Sequence, residues 1–308
     1  MKISIIGAGN VGALSAMRLA EIGFDNITLI DIAKGIAYGK AMDIEDTQAL
    51  LKMNYHLRGS EDINQIRDSD IILITAGFAR KPGMTREELL AKNAQILKGI
   101  SAEIKKLSSE AIIVVVTNPL DLMTYFVLKS TGFATQRVIG MGISLDAARF
   151  ANLISKELNI PVNDIEPYVI GSHGEGMLPL ARLTKIKGVE LEEFMDDKKI
   201  ESLIRKTINR GAEIVAALGS TSAYFAPSAA AANLVKAIAK DEKRVIGVCA
   251  YLSGEYGLKD ICIGVPCRIG RNGIEKIIEL ELNTQEKESL QKSAQSVSQN
   301  IKLLKSLF

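Results

Sequence analysis

The chain contains only two histidines, and one of them occupies a setting suited to proton transfer. His173 lies in the run GSHGEG, residues 171–176, a glycine-rich loop that follows a strand-like segment. Flanking glycines let another molecule approach an imidazole closely, and histidine is the usual general acid or base near neutral pH. His173 is therefore a candidate acid/base group, with a structural loop histidine as the alternative. His56 alternates with apolar neighbours and is interpreted as a strand or surface residue.

A carboxylate and a guanidinium group stand three residues apart at the start of a predicted helix, in the run SLDAAR, residues 144–149. This spacing places Asp146 and Arg149 on one helical face. Together they could orient a catalytic group and bind an anion, or they could form a simple intrahelical ion pair. The local sequence favours the ion pair, so any further role depends on what lies nearby.

Two further segments follow predicted strands, at the edge where open α/β sheets bind ligands. The run TNP, residues 117–119, ends one strand, although it could be a plain turn. The run ARKPGMTR, residues 79–86, follows another strand and places three cations around a Pro-Gly pair. A bendable cationic segment suits an anionic ligand, and a solvated basic turn is the alternative interpretation.

The run GAGNVG, residues 7–12, fits the pattern G-x-G-x-x-G between the first predicted strand and the first predicted helix. Gly7 permits a tight turn, Gly9 lets a pyrophosphate approach the backbone, and Gly12 lets helix and strand pack closely. The helix N-terminus adds free N–H groups. These features predict a dinucleotide site, and an ordinary glycine-rich turn is the alternative.

Asp31 indicates which dinucleotide is bound. It closes the second predicted strand, 19 residues after Gly12, where its carboxylate can accept hydrogen bonds from the adenosine ribose diol. Because a carboxylate repels a 2'-phosphate, we expect NAD to be preferred over NADP. Lys34 could weaken this preference, but a solvated loop lysine is the simpler interpretation.

These residues need elements that bring them to one edge of a sheet, and the first half of the chain supplies such a pattern. Strand-like runs, apolar throughout, alternate with helical spacing, as expected of parallel strands covered on both faces. The predicted strands are 3–6, 27–30, 71–75, 111–117 and 138–140, and the predicted helices are 11–22, 35–50 and 87–107. The fold class is therefore α/β, with a doubly wound parallel sheet of the Rossmann type over residues 1–142.

The second half, residues 143–308, predicts a mixed α+β substrate domain. Its predicted helices are 145–158, 190–218, 229–238 and 284–304, and its predicted strands are 165–170, 245–252, 261–268 and 273–278. Asn272-Gly273 is a strong hairpin signal between the last two strands. The small-residue helix at 226–238 could form a subunit contact or pack internally.

Composition excludes several classes of partner. With 38 basic and 36 acidic residues the net charge is only +2, so the sequence carries no charge pattern for nucleic acid or an anionic membrane. Its apolar runs are shorter than the roughly 20 residues that cross a bilayer. Three cysteines in apolar, strand-like segments are expected to be reduced core residues rather than a disulfide or metal set. Without a leader-like segment, the protein is expected to be cytoplasmic.

Taken in order, these motifs resemble the lactate/malate dehydrogenase family over essentially the whole chain. The resemblance is closest to the lactate-dehydrogenase-like malate dehydrogenases of prokaryotes, with further support from GEYGLKD, residues 254–260, and GVP, residues 264–266. It implies an NAD-dependent dehydrogenase that interconverts (S)-malate and oxaloacetate and forms a homodimer or homotetramer. Rival interpretations are a lactate or other 2-hydroxyacid dehydrogenase of the same fold and, more remotely, a non-catalytic NAD-binding protein.

The resemblance also implies roles for individual residues. His173 would exchange a proton with the substrate oxygen, and Asp146 would hold the other imidazole N–H. Arg149 would bind the C1 carboxylate as a two-pronged donor, and Arg86 would polarise the reacting carbonyl on a mobile lid. Asn118 would hydrogen-bond the substrate oxygen. The cofactor set would be Gly7, Gly9, Asn10, Val11, Gly12, Asp31, Asn93, Thr117 and Asn118, with no metal.

Arg80 matches the position that distinguishes malate from lactate dehydrogenases, where the latter carry glutamine. Malate and oxaloacetate bring two carboxylates, so the C4 carboxylate needs a second cation beside Arg149. Lys81 is interpreted as a solvated neighbour. The sequence departs from the usual family pattern at GSHGE, where GGHGD is common, and at Ala33-Lys34, where a more acidic pair is usual. The second departure bears on cofactor preference.

Overall fold

Six parallel strands form the first half of a continuous sheet in the computed structural model, which describes residues 1–78, 85–219, 221–304 and 307–308 and, at Arg86, the backbone alone. Their bounds are β1 Ile3–Ile6, β2 Asn26–Ile30, β3 His56–Ser60, β4 Ile71–Ile74, β5 Ile112–Val115 and β6 Val138–Gly140. The spatial order is β3-β2-β1-β4-β5-β6, which is the strand order of a Rossmann dinucleotide-binding domain. The predicted α/β fold of the first half is confirmed.

Burial explains why these short runs became parallel strands. Every residue of β1, β4 and β5 is buried, so each strand is covered on both faces and reads as an apolar run rather than an alternating one. β1 pairs with β2 on one side and β4 on the other, which places Ile3 beside Ile27 and Ile71. His56 opens the edge strand β3 and is exposed, as its sequence setting indicated.

Four helices connect and cover these strands: α1 Asn10–Glu21, α2 Ile36–Leu51, α3 Arg86–Leu107 and α4 Leu120–Thr131. α3 begins with a capping box, because Thr85 Oγ1 accepts a hydrogen bond from the Glu88 amide at 3.1 Å and Glu88 Oε2 accepts one from the Thr85 amide at 2.9 Å. Both otherwise unpaired donors are thereby satisfied. The helix start after the basic segment is fixed by its own sequence.

The sequence analysis missed α4. Ten of its twelve residues are buried, so the helix is apolar on nearly all sides and lacks the 3.6-residue period that marks an amphipathic helix. Its N-terminus follows Pro119, and Gly132 ends it in the left-handed conformation at φ +68°. α4 matters for the site because its first turn lies directly after Asn118.

The second half contributes four helices: α5 Ile143–Leu158, α6 Asp197–Leu218, α7 Phe225–Ala239 and α8 Thr284–Leu304. Its strands are β7 Ile165–Glu166, β8 Val169–Gly171, β9 Met177–Pro179, β10 Lys185–Ile186, β11 Val189–Glu190, β12 Arg244–Ser253, β13 Lys259–Gly270 and β14 Gly273–Ile277. Throughout the described ranges, no helix is both long and apolar enough to cross a membrane.

The main sheet runs through both halves of the chain. β12 lies antiparallel to β6 through the pair Cys249 and Gly140, and the order continues β12-β13-β8-β9, with β14 on β13. β7, β10 and β11 form a separate three-stranded sheet. One hydrophobic core extends along the main sheet, and a second lies between α5, α6 and the short strands. The mixed second half agrees with the predicted fold class.

Several predicted bounds were wrong. The single strand predicted at 165–170 is two strands, β7 and β8, in different sheets. The helix predicted from residue 190 begins at Asp197, because Asp196 caps it by accepting a hydrogen bond from the Lys199 amide at 2.9 Å. The hairpin predicted at Asn272-Gly273 is confirmed, with Gly273 at φ +92°.

The small-residue helix α7 packs inside the subunit. Its face packs against α1, and Arg18 Nε of α1 donates a hydrogen bond to the buried Ser228 Oγ at 3.2 Å. Of the two interpretations offered for this helix, internal packing therefore describes the face that carries Ser228, Ala231 and Ala232.

Candidate active site

The glycine turn between β1 and α1 has the geometry that its sequence predicts. Gly7 has φ +107°, and a Cβ there would lie 2.5 Å from the Ala76 nitrogen. A Cβ on Gly12 would overlap the Gly7 carbonyl oxygen, whereas a Cβ on Gly9 would meet no heavy atom within 4 Å. Packing therefore requires the first and third glycines, while the second faces open space that a ligand can occupy.

The start of α1 offers main-chain donors to that space. The helix begins at Asn10, and its N-cap residue is Gly9, so no capping side chain occupies its first N–H groups. The first N–H groups of a helix have no intrahelical partner, and the positive end of the helix dipole favours an anion. Asn10 is exposed and Val11 is half-buried at this turn. The geometry fits the pyrophosphate of a dinucleotide.

Asp31 lies just after β2, beside the glycine turn. Its Oδ2 accepts a hydrogen bond from the Ala8 amide at 2.7 Å, and its Oδ1 accepts one from the Ala33 amide at 2.9 Å. These bonds fix the carboxylate and leave lone pairs on both oxygens for further donors. A fixed, half-exposed carboxylate here fits the ribose diol of NAD. Lys34 is exposed.

Asn93 on α3 is buried, and its side chain makes hydrogen bonds to the main chain of two other segments. Its Nδ2 donates to the Asn118 carbonyl oxygen at 2.6 Å, and its Oδ1 accepts from the Phe78 amide at 2.7 Å. Its side chain therefore links the segment after β4 to the segment after β5. The buried Asn93 side chain therefore supports the main chain of Asn118, which is itself exposed.

Two threonines join the carboxyl ends of the central strands. Thr75 Oγ1 donates to the Gly7 carbonyl oxygen at 2.9 Å, and the buried Thr117 donates from Oγ1 to the Ala76 carbonyl oxygen at 2.6 Å. The glycine turn after β1 is thus tied to β4, and β4 to β5. Thr117 therefore has a structural role, because its side chain connects the segment after β5 to the segment after β4.

His173, Asp146 and Arg149 form one hydrogen-bonded row. His173 Nδ1 lies 2.7 Å from Asp146 Oδ2, and Arg149 Nη1 donates to Asp146 Oδ1 at 3.1 Å. The Asp146 side chain is fully buried, while those of His173 and Arg149 are 16% and 12% exposed. Because a carboxylate only accepts, Nδ1 carries a proton and Nε2 is left for exchange with a ligand. The intrahelical ion pair and the histidine contact therefore coexist.

Arg149 uses only part of its guanidinium on this row. Its Nε is buried and has no hydrogen-bond partner among the described residues. Gly211 of α6 lies against the same group, since a Cβ there would be 3.6 Å from Nη1. A buried donor without a partner costs about 1 to 3 kcal/mol. The exposed part of the guanidinium suits an anionic ligand, which fits the predicted substrate carboxylate.

The charge of His173 is tuned by its neighbours. Burial lowers the pKa of His173, but the charge of Asp146 and its hydrogen bond raise it, with a further contribution from Asp121, and the net shift is upward. The protonated imidazolium is therefore stabilised in the folded protein. This suits a group that must both hold and release a proton.

Two residues that the sequence analysis did not identify anchor the His173 loop. Ser293 Oγ of α8 accepts from the Ser172 amide at 3.0 Å and donates to the Gly176 carbonyl oxygen at 2.8 Å. Asp121 Oδ2 of α4 accepts from the His173 amide at 2.9 Å. A lone carboxylate in an apolar segment was a signal for Asp121, whereas nothing in the sequence distinguishes Ser293 from a surface serine.

The basic segment remains a prediction. Arg80 and Lys81 lie outside the described residues, as does the side chain of Arg86. The described backbone on either side, Phe78 and Thr85, flanks this segment between β4 and α3. Phe78 follows the carboxyl end of β4, the same edge of the sheet that carries the glycine turn and Asn118.

Family models match both halves of the chain. The lactate/malate dehydrogenase NAD-binding domain matches residues 1–140, and the lactate/malate dehydrogenase alpha/beta C-terminal domain matches residues 143–307. The chain belongs to the lactate/malate dehydrogenase family.

Individual relatives agree with this membership. A malate dehydrogenase from Chlorobium chlorochromatii is 46% identical, with both chains fully covered. The apo structure of the malate dehydrogenase from Picrophilus torridus superposes with a TM-score of 0.97 at 40% identity, over 100% of this chain and 98% of that one. A lactate dehydrogenase from Cryptosporidium parvum reaches a TM-score of 0.95 at 35% identity, over 99% of this chain and 98% of that one. Overall fold therefore does not separate the two activities.

Family membership agrees with NAD as the cofactor. Cys249, Cys262 and Cys267 are buried free thiols. Within the residues that the structure describes, no group of three or more His, Cys, Asp or Glu side chains is placed to hold a metal ion. The polar groups at this edge are those suited to a nucleotide and a small anion.

Proposed function

We propose that the protein interconverts (S)-malate and oxaloacetate with NAD as the cofactor. The observation that carries this proposal is the row of His173, Asp146 and Arg149, which combines an acid/base group, a group that orients it and an incompletely used anion binder. Full-length relatives at 44–46% identity are malate dehydrogenases, which supports the same conclusion.

His173 moves the proton. In malate oxidation its Nε2 takes the proton of the 2-hydroxyl group, and in oxaloacetate reduction the imidazolium returns it. Asp146 keeps Nδ1 protonated and stabilises the positive charge that forms on the ring. Burial of Asp146 strengthens this interaction, because little water competes for the carboxylate.

Arg149 orients the substrate. The exposed part of its guanidinium suits a carboxylate in a two-pronged pair, which a planar guanidinium makes better than an ammonium group. Asp146 holds Nη1 of the same group, so substrate binding and proton transfer share one carboxylate. Asn118, exposed at the end of β5, is placed by Asn93 to donate to the substrate oxygen.

The first half of the chain would hold the cofactor. NAD, when bound, supplies or accepts the hydride at its nicotinamide ring. Gly9 and the start of α1 leave room and donors for the pyrophosphate, and Asp31 accepts from the ribose diol. We propose residues 1–142 as this cofactor domain and residues 143–308 as the substrate domain.

The choice of malate rests on Arg80. Malate and oxaloacetate carry a second carboxylate, and one unpaired buried charge costs on the order of 3 to 5 kcal/mol. Arg80 would pair the C4 carboxylate, and it would disfavour pyruvate because it would then lack a partner. Arg86 would stabilise the charge that develops on the reacting oxygen. A lactate dehydrogenase is the second candidate, since such an enzyme shares the fold.

A steady-state assay tests the proposal. NADH oxidation should depend on oxaloacetate, and kcat/KM should favour NADH over NADPH by at least about tenfold because of Asp31. The His173→Asn variant should lose turnover while NADH binding, followed by fluorescence quenching, remains. Equal use of NADPH would remove the argument from Asp31. Absence of turnover in the wild type would leave a non-catalytic NAD-binding protein.

We also propose a homodimer or homotetramer in the cytoplasm. Ile36, Tyr38 and Met42 expose large apolar side chains along α2, which supports an association surface on that helix. The free thiols of three buried cysteines are in keeping with a reducing compartment. Sedimentation equilibrium would determine the subunit number.

A further inference from the structure

Asp121 places a second buried carboxylate next to the catalytic histidine. It lies in the first turn of α4 and is only 4% exposed. Its Oδ2 accepts the hydrogen bond of the His173 amide at 2.9 Å. Its Oδ1 is buried and makes no hydrogen bond to any described residue. One oxygen of this carboxylate is therefore used on the histidine loop, and beyond that bond the nearest donor is the Cys249 thiol, which is a weak one.

The hydrogen bond alone does not explain why the residue is acidic. The amide oxygen of an asparagine could accept from the His173 N–H equally well, without a charge to bury. Burial instead raises the pKa of Asp121 to about 6, so its ionisation costs more free energy in the folded protein than in water, although the group is still mostly ionised at neutral pH. A carboxylate retained at this cost points to a use for its charge.

The groups around Asp121 identify that use. From β12 the Cys249 thiol faces the carboxyl group, and Cys262 of β13 lies behind Cys249. From α5 comes the carboxylate of Asp146, and from the β8–β9 loop comes His173. Among these described neighbours His173 supplies the positive charge, so Asp121 acts on the imidazolium.

We propose that Asp121 is a positioning residue for His173, which fixes its main chain and adds a second negative charge that favours the protonated imidazole. The inference deepens the proposed function and rests on it for its catalytic consequence. Asp146 sets the ring orientation from Nδ1, while Asp121 sets the position of the residue from the backbone. Two carboxylates on two elements, α5 and α4, thus control one proton carrier.

A titration of the histidines tests this directly. Since the chain has only His56 and His173, a proton NMR titration resolves both, and the exposed His56 serves as an internal reference. Asp121→Asn keeps the acceptor and removes the charge, so the pKa of His173 should fall relative to its wild-type value. The matched control is Asp68→Asn, an exposed carboxylate at φ +56° that asparagine also tolerates. An unchanged His173 titration in Asp121→Asn would overturn the proposal.

A second measurement uses only the wild-type protein, so it tests the proposal even if the Asp121→Asn variant does not fold. In the wild-type protein the His173 resonance should show a smaller inflection near pH 6 from Asp121, besides its own titration. A single inflection would contradict the charge interaction.

Kinetics connect the effect to catalysis. Above its pKa the protonated fraction of His173 falls about tenfold for each unit by which the pKa falls. Oxaloacetate reduction by Asp121→Asn at alkaline pH should therefore lose kcat, with the KM for NADH unchanged. If the titration shifts but neither protein turns over oxaloacetate, the proposed function fails while the charge interaction stands.

Discussion

Asp146 Oδ2 lies 2.7 Å from His173 Nδ1 and belongs to a carboxylate whose other oxygen accepts from Arg149. One fully buried group therefore serves both the proton carrier and the anion binder. Neither function can be altered through Asp146 without affecting the other.

Asp146→Asn should lower kcat by about three to four decades, because an amide can donate to Nδ1 and stabilise the wrong tautomer. The pKa of His173 should also fall, since Asp146 is the largest of the influences that raise it. Steady-state kinetics across a pH range, with NADH affinity as the control for folding, check this. A variant that retains wild-type kcat would contradict the assigned relay.

The acid/base group also predicts how the two directions respond to pH. Oxaloacetate reduction needs protonated His173 and should decline as pH rises through its raised pKa, whereas malate oxidation needs the neutral ring and should decline as pH falls. Profiles of kcat/KM in both directions should therefore slope oppositely. Parallel profiles would show that another group limits both reactions.

Ser293→Ala should loosen the loop that carries His173, although Ser293 does not contact the substrate site itself in the proposed mechanism. The hydroxyl group bonds Ser172 and Gly176 on the two sides of His173, and its loss leaves a partly buried amide without this partner, at a cost of about 1 kcal/mol. We expect kcat to fall about tenfold or more with little change in the KM for NADH.

Ser296→Ala, on the exposed side of the same helix, is the matched control for Ser293→Ala and should behave as the wild type. If both variants were fully active, α8 would have no role in placing His173.

Asp121 should make the protein less stable as pH rises. Its pKa is raised from 3.8 to about 6 in the folded state, so the folded protein binds more protons between these values than the unfolded chain does. The stability from this group is full below about pH 4 and is lost as pH rises through 6, by about 3 kcal/mol at most. Asp121→Asn should therefore unfold at a higher temperature than the wild type at pH 8 but not at pH 4. Equal melting temperatures at pH 8 would contradict this assignment.

The sequence predicted the parts of the fold that have a periodic or turn signal. The apolar strands, the G-x-G-x-x-G turn and the Asn272-Gly273 hairpin all have local causes, and the structure contains each of them. α4 was missed because burial on nearly all sides removes the periodicity on which sequence interpretation depends. The split of 165–170 into β7 and β8 reflects pairing with distant strands, which no local pattern encodes.

The site divides in the same way. Residue types and resemblance identified His173, Asp146 and Arg149, but their spacing could not distinguish an ion pair from a hydrogen bond to the histidine, and the structure contains both. Ser293 is 120 residues from His173 in the sequence, so its contact with the loop follows from tertiary packing alone. Asn93 was expected among the cofactor-binding residues from the resemblance. In the structure its buried side chain bonds the main chain of Asn118.

The substrate assignment depends on Arg80, and one comparison tests it most directly. Wild-type protein and Arg80→Gln should be assayed side by side for kcat/KM with oxaloacetate and with pyruvate, using NADH. We predict that the wild type strongly prefers oxaloacetate, and that the variant loses roughly two to four decades on oxaloacetate and gains on pyruvate. Unchanged oxaloacetate turnover in Arg80→Gln, or a wild type that prefers pyruvate, would contradict the account.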